Sequence, residues 1–305
     1  MHHHHHHSTG SVLKWSFFAT LTFCVVELIL GLRSGSLALV SDAGHNFTDA
    51  LALVLAAVAH HLQSKPANDT KTFGYHRAGV LAAAVNALTL VAISGFIFWE
   101  AWDRFLHPRH VSEWTMAVVA ALGVVVNGAI MWSLHRDKAH DLNIRAAFVH
   151  MLGDAVSSMG IVLGAIVIYF TGWAQVDPIL SVLIGVLIIW TAWDIIKEAL
   201  NILLEGLPTG MELTKITGAL QNIPGVIDVH DLHIWTLGSN AHALSCHVLI
   251  EDMPPSASNE ILERINGVLC DLRIRHTTIQ FEHTPCAGCS MTHTAPHLEH
   301  LGHRH

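Results

Sequence analysis

Two histidine–aspartate pairs are the residues of this sequence best placed to do chemistry. In Ser41-Asp42-Ala43-Gly44-His45-Asn46-Phe47-Thr48-Asp49, His45 and Asp49 stand four residues apart, and His150-Met151-Leu152-Gly153-Asp154 repeats the spacing. Four residues make about one helical turn, so each pair shares a helix face. Two imidazole nitrogens and two carboxylates are ligands of the kinds that suit tetrahedral Zn²⁺. Both pairs lie in apolar stretches, where an ionisable residue costs about 2.5–3.5 kcal/mol on insertion scales, and a dication would neutralise both carboxylates. The plainer reading has the histidines hydrogen-bonding within a helix bundle and the aspartates bonding neighbouring helices; two matched pairs at buried depth favour metal. Imidazole, with an ordinary pKa of about 6.5, must be neutral to ligate, so protons compete with the ion.

These pairs need helices to carry them. Six apolar stretches approach the length of a bilayer crossing, at about residues 12–32, 37–63, 78–106, 113–135, 142–171 and 177–200. The connections after the second and fourth hold Lys65, Lys71, Arg77, Arg136, Lys138 and Arg145, against Arg33, Arg104 and Arg109 on the other side. The positive-inside rule therefore makes both termini cytoplasmic. After Gly206 and Pro208 the pattern becomes that of a soluble αββαβ domain, its hairpin turning at Gly238-Ser239-Asn240. Residues 1–11, with six consecutive histidines, read as a tag and linker and enter no metal argument. The expected organisation is a six-helix transmembrane domain over 12–205, a cytosolic domain over 206–285 and a flexible Cys/His-containing tail over 286–305.

A net charge of −8 and the lack of a basic cluster exclude nucleic acid as a partner. Of five cysteines only Cys286 and Cys289 form a close pair, which implies no disulfide framework and suits a cytosolic face.

Taken in order, SDAGHNFTD, the Phe73-Gly74-Tyr75-His76-Arg77 loop, HMLGD and VHDLHIW resemble the cation diffusion facilitator family, in particular its ZnT-like zinc/proton antiporters. The likeness runs from about residue 12 to 289. It implies a homodimer in a lipid bilayer, a metallochaperone-like cytosolic fold, and a transport site of His45, Asp49, His150 and Asp154. Histidine rather than aspartate at position 45 resembles the members that prefer Zn²⁺ over Cd²⁺; imidazole lowers the negative charge of the site and its tolerance for a larger ion. By the same resemblance His230, His247, His276 and Glu282, extended by Cys286 and Cys289, form a regulatory zinc site in the cytosolic domain, and Arg77 and Glu205 match a charge interlock near the dimer axis.

The expected function is export of cytosolic Zn²⁺ in exchange for protons. The alternative is a membrane-anchored zinc sensor or storage protein, but a structural zinc would prefer a closed, sulfur-rich set to a mixed nitrogen and oxygen site. An enzyme is not expected: no HExxH is present and no general base is placed beside an open metal position. Short loops and the lack of a long histidine-rich insertion suit a bacterial inner membrane rather than a eukaryotic vesicle.

Overall fold

A computed structural model describes residues 6–134, 142–238 and 241–284. Six long helices come first: α1 (His6–Ser34), α2 (Leu37–Gln63), α3 (Ala78–Leu106), α4 (Glu113–Leu134), α5 (Leu142–Thr171) and α6 (Val176–Leu203). All but α2 are long and apolar enough to cross a membrane. The exception carries Ser41, Asp42, His45, Asn46, Thr48, Asp49, His60 and His61, so the helix richest in chemistry is the least oil-like. Large apolar side chains line the outer helix faces, among them Trp132 (84% exposed), Phe170 and Trp190. Water would penalise such a surface and hydrocarbon would cover it.

The chain falls into two units, one holding most of the six helices and the other comprising Ala59–Leu81 with everything from Lys197 onward. In the first unit, Ala38 and Leu39 of α2 pack with Met116, Val119 and Ala120 of α4 and Ile161, Ala165 and Ile168 of α5. Ala87 and Leu90 of α3 meet Ile188 and Ala192 of α6 in a separate cluster.

The start of α2 is fixed unusually firmly. Gly35, with φ of 73°, reverses the chain after α1, and a Cβ there would come within 2.7 Å of the His110 carbonyl oxygen. Ser36 then accepts from the Leu39 amide at 3.3 Å, as an N-cap does. Asp177 reaches across from α6: its carboxylate accepts from the Ser36 hydroxyl at 2.6 Å and from the amides of Leu37 and Ala38 at 2.7 and 3.2 Å. A carboxylate at a helix N-terminus satisfies otherwise unpaired amides and complements the positive end of the dipole. Arg104 of α3 donates to the Gly35 carbonyl, lies 3.9 Å from Asp177 and pairs with Glu100 at 2.9 Å.

In the second unit the order is α7 (Leu213–Gln221), β1 (Val226–Gly238), β2 (Ala241–Ile250), α8 (Pro255–Asp271) and β3 (Ile274–Glu282). The sheet order is β1-β2-β3, with β1 antiparallel and β3 parallel to the central strand. Ser239 and Asn240 of the expected turn lie outside the described residues. Strand alternation turns Leu244, Cys246, Val248 and Ile250 toward Ile216 and Leu220 of α7 and Ile261, Ile265 and Leu269 of α8, leaving His247 on the opposite face. Burial pushes the Cys246 thiol up to about 12, so it stays a neutral core side chain at physiological pH.

Candidate metal sites

His45 and Asp49 project from one turn of α2, and His150 and Asp154 from one turn of α5. As the chain runs along α2 from Asp42 through His45 to Asp49, its partners run back along α5 from Ser157 through Asp154 to His150. The helices are therefore antiparallel, and each histidine faces both its own aspartate and that of the other helix. His45 Nε2 is 3.4 Å from Asp49 Oδ2 and 3.6 Å from Asp154 Oδ1. His150 Nε2 is 3.1 Å from Asp49 Oδ2 and 3.7 Å from Asp154 Oδ2.

Ligands about 2.0–2.1 Å from a tetrahedral zinc lie roughly 3.3–3.5 Å from one another. Four of the possible ligand–ligand edges here are close to that length. As hydrogen bonds three of them are poor, because among the described residues Asp49 Oδ2 and Asp154 Oδ2 are buried with no aligned donor. Buried oxygens left in that state could be satisfied by a cation. Asp154 is 4% exposed and His150 42%, so the group is sealed at one end and open at the other. From it a cavity of about 360 Å³ extends among α1, α2, α4 and α5, lined by Thr20, Asn46, Leu53, Ile130, Ala147 and Met151. Its walls lie toward the end of the bundle where α2 and α4 finish and α5 begins.

A second group lies on the sheet face away from the α7/α8 core. Glu282 at the end of β3 holds two histidines at once: Oε2 is 3.1 Å from His230 Nε2 and Oε1 is 2.9 Å from His247 Nδ1. Each of the three residues offers a ligand atom within 4.8 Å of the others, and the two rings meet edge to face at 5.5 Å.

Residues 13–204 match the family described as "Cation efflux transmembrane domain", and residues 208–284 match "Cation efflux protein, cytoplasmic domain". The chain belongs to the cation efflux family. Among its relatives are the "Zinc transporter ZitB" of Escherichia coli (strain K12), 38% identical over 289 residues covering 94% of this chain and 91% of the relative. The "Metal cation efflux system protein CzcD" of Cupriavidus metallidurans is 40% identical over 275 residues, covering 90% and 87%. The "Cadmium, cobalt and zinc/H(+)-K(+) antiporter" of Bacillus velezensis is 38% identical over 284 residues, covering 92% and 91%. This member of the cation efflux family is an integral membrane protein with a cytoplasmic C-terminal domain, and a transporter rather than an enzyme.

The remaining residues singled out from the sequence fare differently. Arg77 Nη2 and Glu205 Oε1 meet at 3.0 Å within the second unit. Cys286 and Cys289 lie outside the described residues. The structure does not bring His276 to the Glu282 group: it pairs with Ala243, whereas Glu282 pairs with Leu249. At about 3.3 Å per residue, six residues of β3 separate the two by roughly 20 Å. The His276 ring instead sits edge-on to Phe73, centroids 5.1 Å apart.

Sequence reading also missed Asp231, whose carboxylate lies 3.8 Å from His247 Nε2 and 3.1 Å from His233 Nε2. The ladder slips between His230 and His233, and Asp231 has φ of 49°. This is a bulge that breaks the two-residue period and re-aims a side chain. The usable signal was burial parity: odd-numbered Val229 and even-numbered Leu232 and Ile234 all face the core, which requires an extra residue between them.

Proposed function

We propose that this cation efflux protein exports Zn²⁺ from the cytosol in exchange for protons, with His45, Asp49, His150 and Asp154 as its transport site. The observation that carries the reading is the set of four imidazole–carboxylate separations between 3.1 and 3.7 Å across two antiparallel helices. In this reading α2 is a sixth span, tolerated in the bilayer because the ion neutralises its carboxylate and neighbouring helices cover its polar face. Both termini are cytoplasmic by the distribution of Lys and Arg. The cavity then faces the cytosol, and the chain stands in the state that receives metal.

Neutral imidazoles and ionised carboxylates take Zn²⁺ from the cytosolic side. Once the helices rock, protons from a more acidic outer compartment displace it. The names of the relatives support the cargo and the coupling, since one specifies zinc and another exchange for H⁺ and K⁺. All three named relatives are bacterial, which favours the inner membrane. The dimer designation of the C-terminal family supports a homodimer.

His230, His247 and Glu282 form a regulatory zinc group in the domain over 206–285, and the sensor or storage reading survives only if these residues, and not the helical four, bind zinc exchangeably. The test is zinc uptake into proteoliposomes under an imposed pH gradient, with Cd²⁺ compared. Uptake that follows the sign and size of the gradient is expected, with Zn²⁺ faster than Cd²⁺. Uptake indifferent to the gradient, or no uptake alongside tight zinc binding, would contradict it.

A further inference from the structure

A pair of carboxyls next to the four-residue group takes no part in ligation. Glu27 of α1 is wholly buried, and so is Asp42, three residues before His45 on α2. The two carboxyls lie within hydrogen-bond reach of each other. Their donors are distributed unequally. Asp42 accepts from two serine hydroxyls of α5, Ser157 at 2.7 Å and Ser158 at 3.2 Å, one to each oxygen. Among the described residues Glu27 accepts only from the Asn46 side-chain amide at 3.4 Å, and its buried Oε1 has no donor.

Two carboxyls are both acceptors when ionised, so they join only if one carries a proton. Like charges sharing one buried site cannot both ionise without large cost. The donor pattern says which is which: Asp42, with both oxygens satisfied, is the carboxylate, and Glu27, with an orphan oxygen, is the acid. The other titratable groups whose charges reach the pair are Cys24 on α1, His45 on α2 and Asp154 on α5. Two of those three are proposed metal ligands, so a dication between them would reverse the local field. Asn46 both touches Glu27 and lines the cavity, giving a released proton a way to water.

We infer that Glu27, paired with Asp42, is a proton-binding site separate from the metal ligands, losing its proton when zinc occupies the four-residue group and regaining it when zinc leaves. The inference rests on that group being the transport site. On zinc binding the Glu27 O–H bond breaks, the electron pair stays on the carboxylate, and the proton passes to cavity water beside Asn46. No other reactant is needed. Glu27 would then be a coupling residue, contributing to the count of protons exchanged without touching the ion.

The experiment measures zinc affinity against pH for the full chain in detergent, in a background of His230→Ala and His247→Ala that silences the cytosolic group. The slope of log Kd against pH counts protons displaced per ion. Glu27→Gln should lower that slope by about one proton while zinc still binds; an unchanged slope in a zinc-binding Glu27→Gln protein would overturn the inference. If Glu27→Gln does not fold, infrared difference spectroscopy on the unaltered chain decides. Zinc should bleach a protonated-carboxyl carbonyl band, and no such bleach would overturn the inference. Asp154→Ala in the same titrations tests the underlying reading separately: undiminished affinity there would sink the four-residue site, whatever the Glu27 slope.

Discussion

Asp154 is the most buried member of the helical group, and both histidines approach its oxygens. In the proposed site, replacing it with alanine removes one of four ligands together with its buried charge. The expected outcome for Asp154→Ala is a folded protein whose zinc affinity falls by more than about 100-fold, since loss of a mere supporting contact already costs 10–100-fold. Calorimetric titration reads it, and wild-type affinity would remove Asp154 from the site. His45→Asp adds a negative charge and an oxygen ligand in place of nitrogen, which suits larger ions better. The ratio of Zn²⁺ to Cd²⁺ flux should therefore drop, and an unchanged ratio would refute the selectivity argument. Cysteine chemistry offers a check on the C-terminal fold. With its thiol at about 12, only about one Cys246 in ten thousand is a thiolate at pH 8. Alkylation at that pH, mapped by peptide mass, should mark the exposed Cys270 and leave Cys246 unmodified until the domain unfolds.

The elements decide whether those residues meet. The position of α2 is set largely by Asp177, which holds Ser36 and the first amides of the helix from α6. Asp177→Ala would leave these donors without an acceptor, at about 1–3 kcal/mol for each buried group. The thermal midpoint in detergent should fall clearly, with Asp177→Asn falling less because it keeps one carbonyl acceptor; equal midpoints would show that the contact does not hold α2. The helical pairs were legible in the sequence because a four-residue spacing maps directly onto one helix face. Positions along the strands were not. His276 and Glu282 share parity on β3 and so one face, but six residues of strand put them at different heights, as the register with β2 shows. Asp231 was hidden by the bulge that aims it. The role of Asp177 was invisible because its partners are backbone amides 140 residues away in the chain. The Arg77–Glu205 ion pair joins the residue before α3 to the segment after α6. Both side chains are partly exposed, so its intrinsic worth is about 0–1 kcal/mol. Arg77→Glu should weaken dimerisation or flux and Glu205→Arg should partly restore it; additive effects in the double variant would show no coupling.

At the scale of the molecule, one chain is built for two solvents, and each part carries a group of residues that could hold a metal ion. The helical group mixes imidazole and carboxylate and opens into a cavity, which would suit exchangeable binding. The sheet-face group sits on a domain with its own apolar core, where binding stabilises by RT ln(1 + [Zn]/Kd), about 2.7 kcal/mol at a hundredfold excess. Zinc should raise the unfolding temperature of that domain, and replacing His230 and His247 together should abolish the rise. Zinc flux in one proteoliposome assay separates the roles of the two groups. Under the same pH gradient, Asp154→Ala should carry no zinc, while the His230→Ala/His247→Ala protein should still carry it with a shifted half-maximal concentration. Normal flux in Asp154→Ala, or no flux in the folded double variant, would contradict the account.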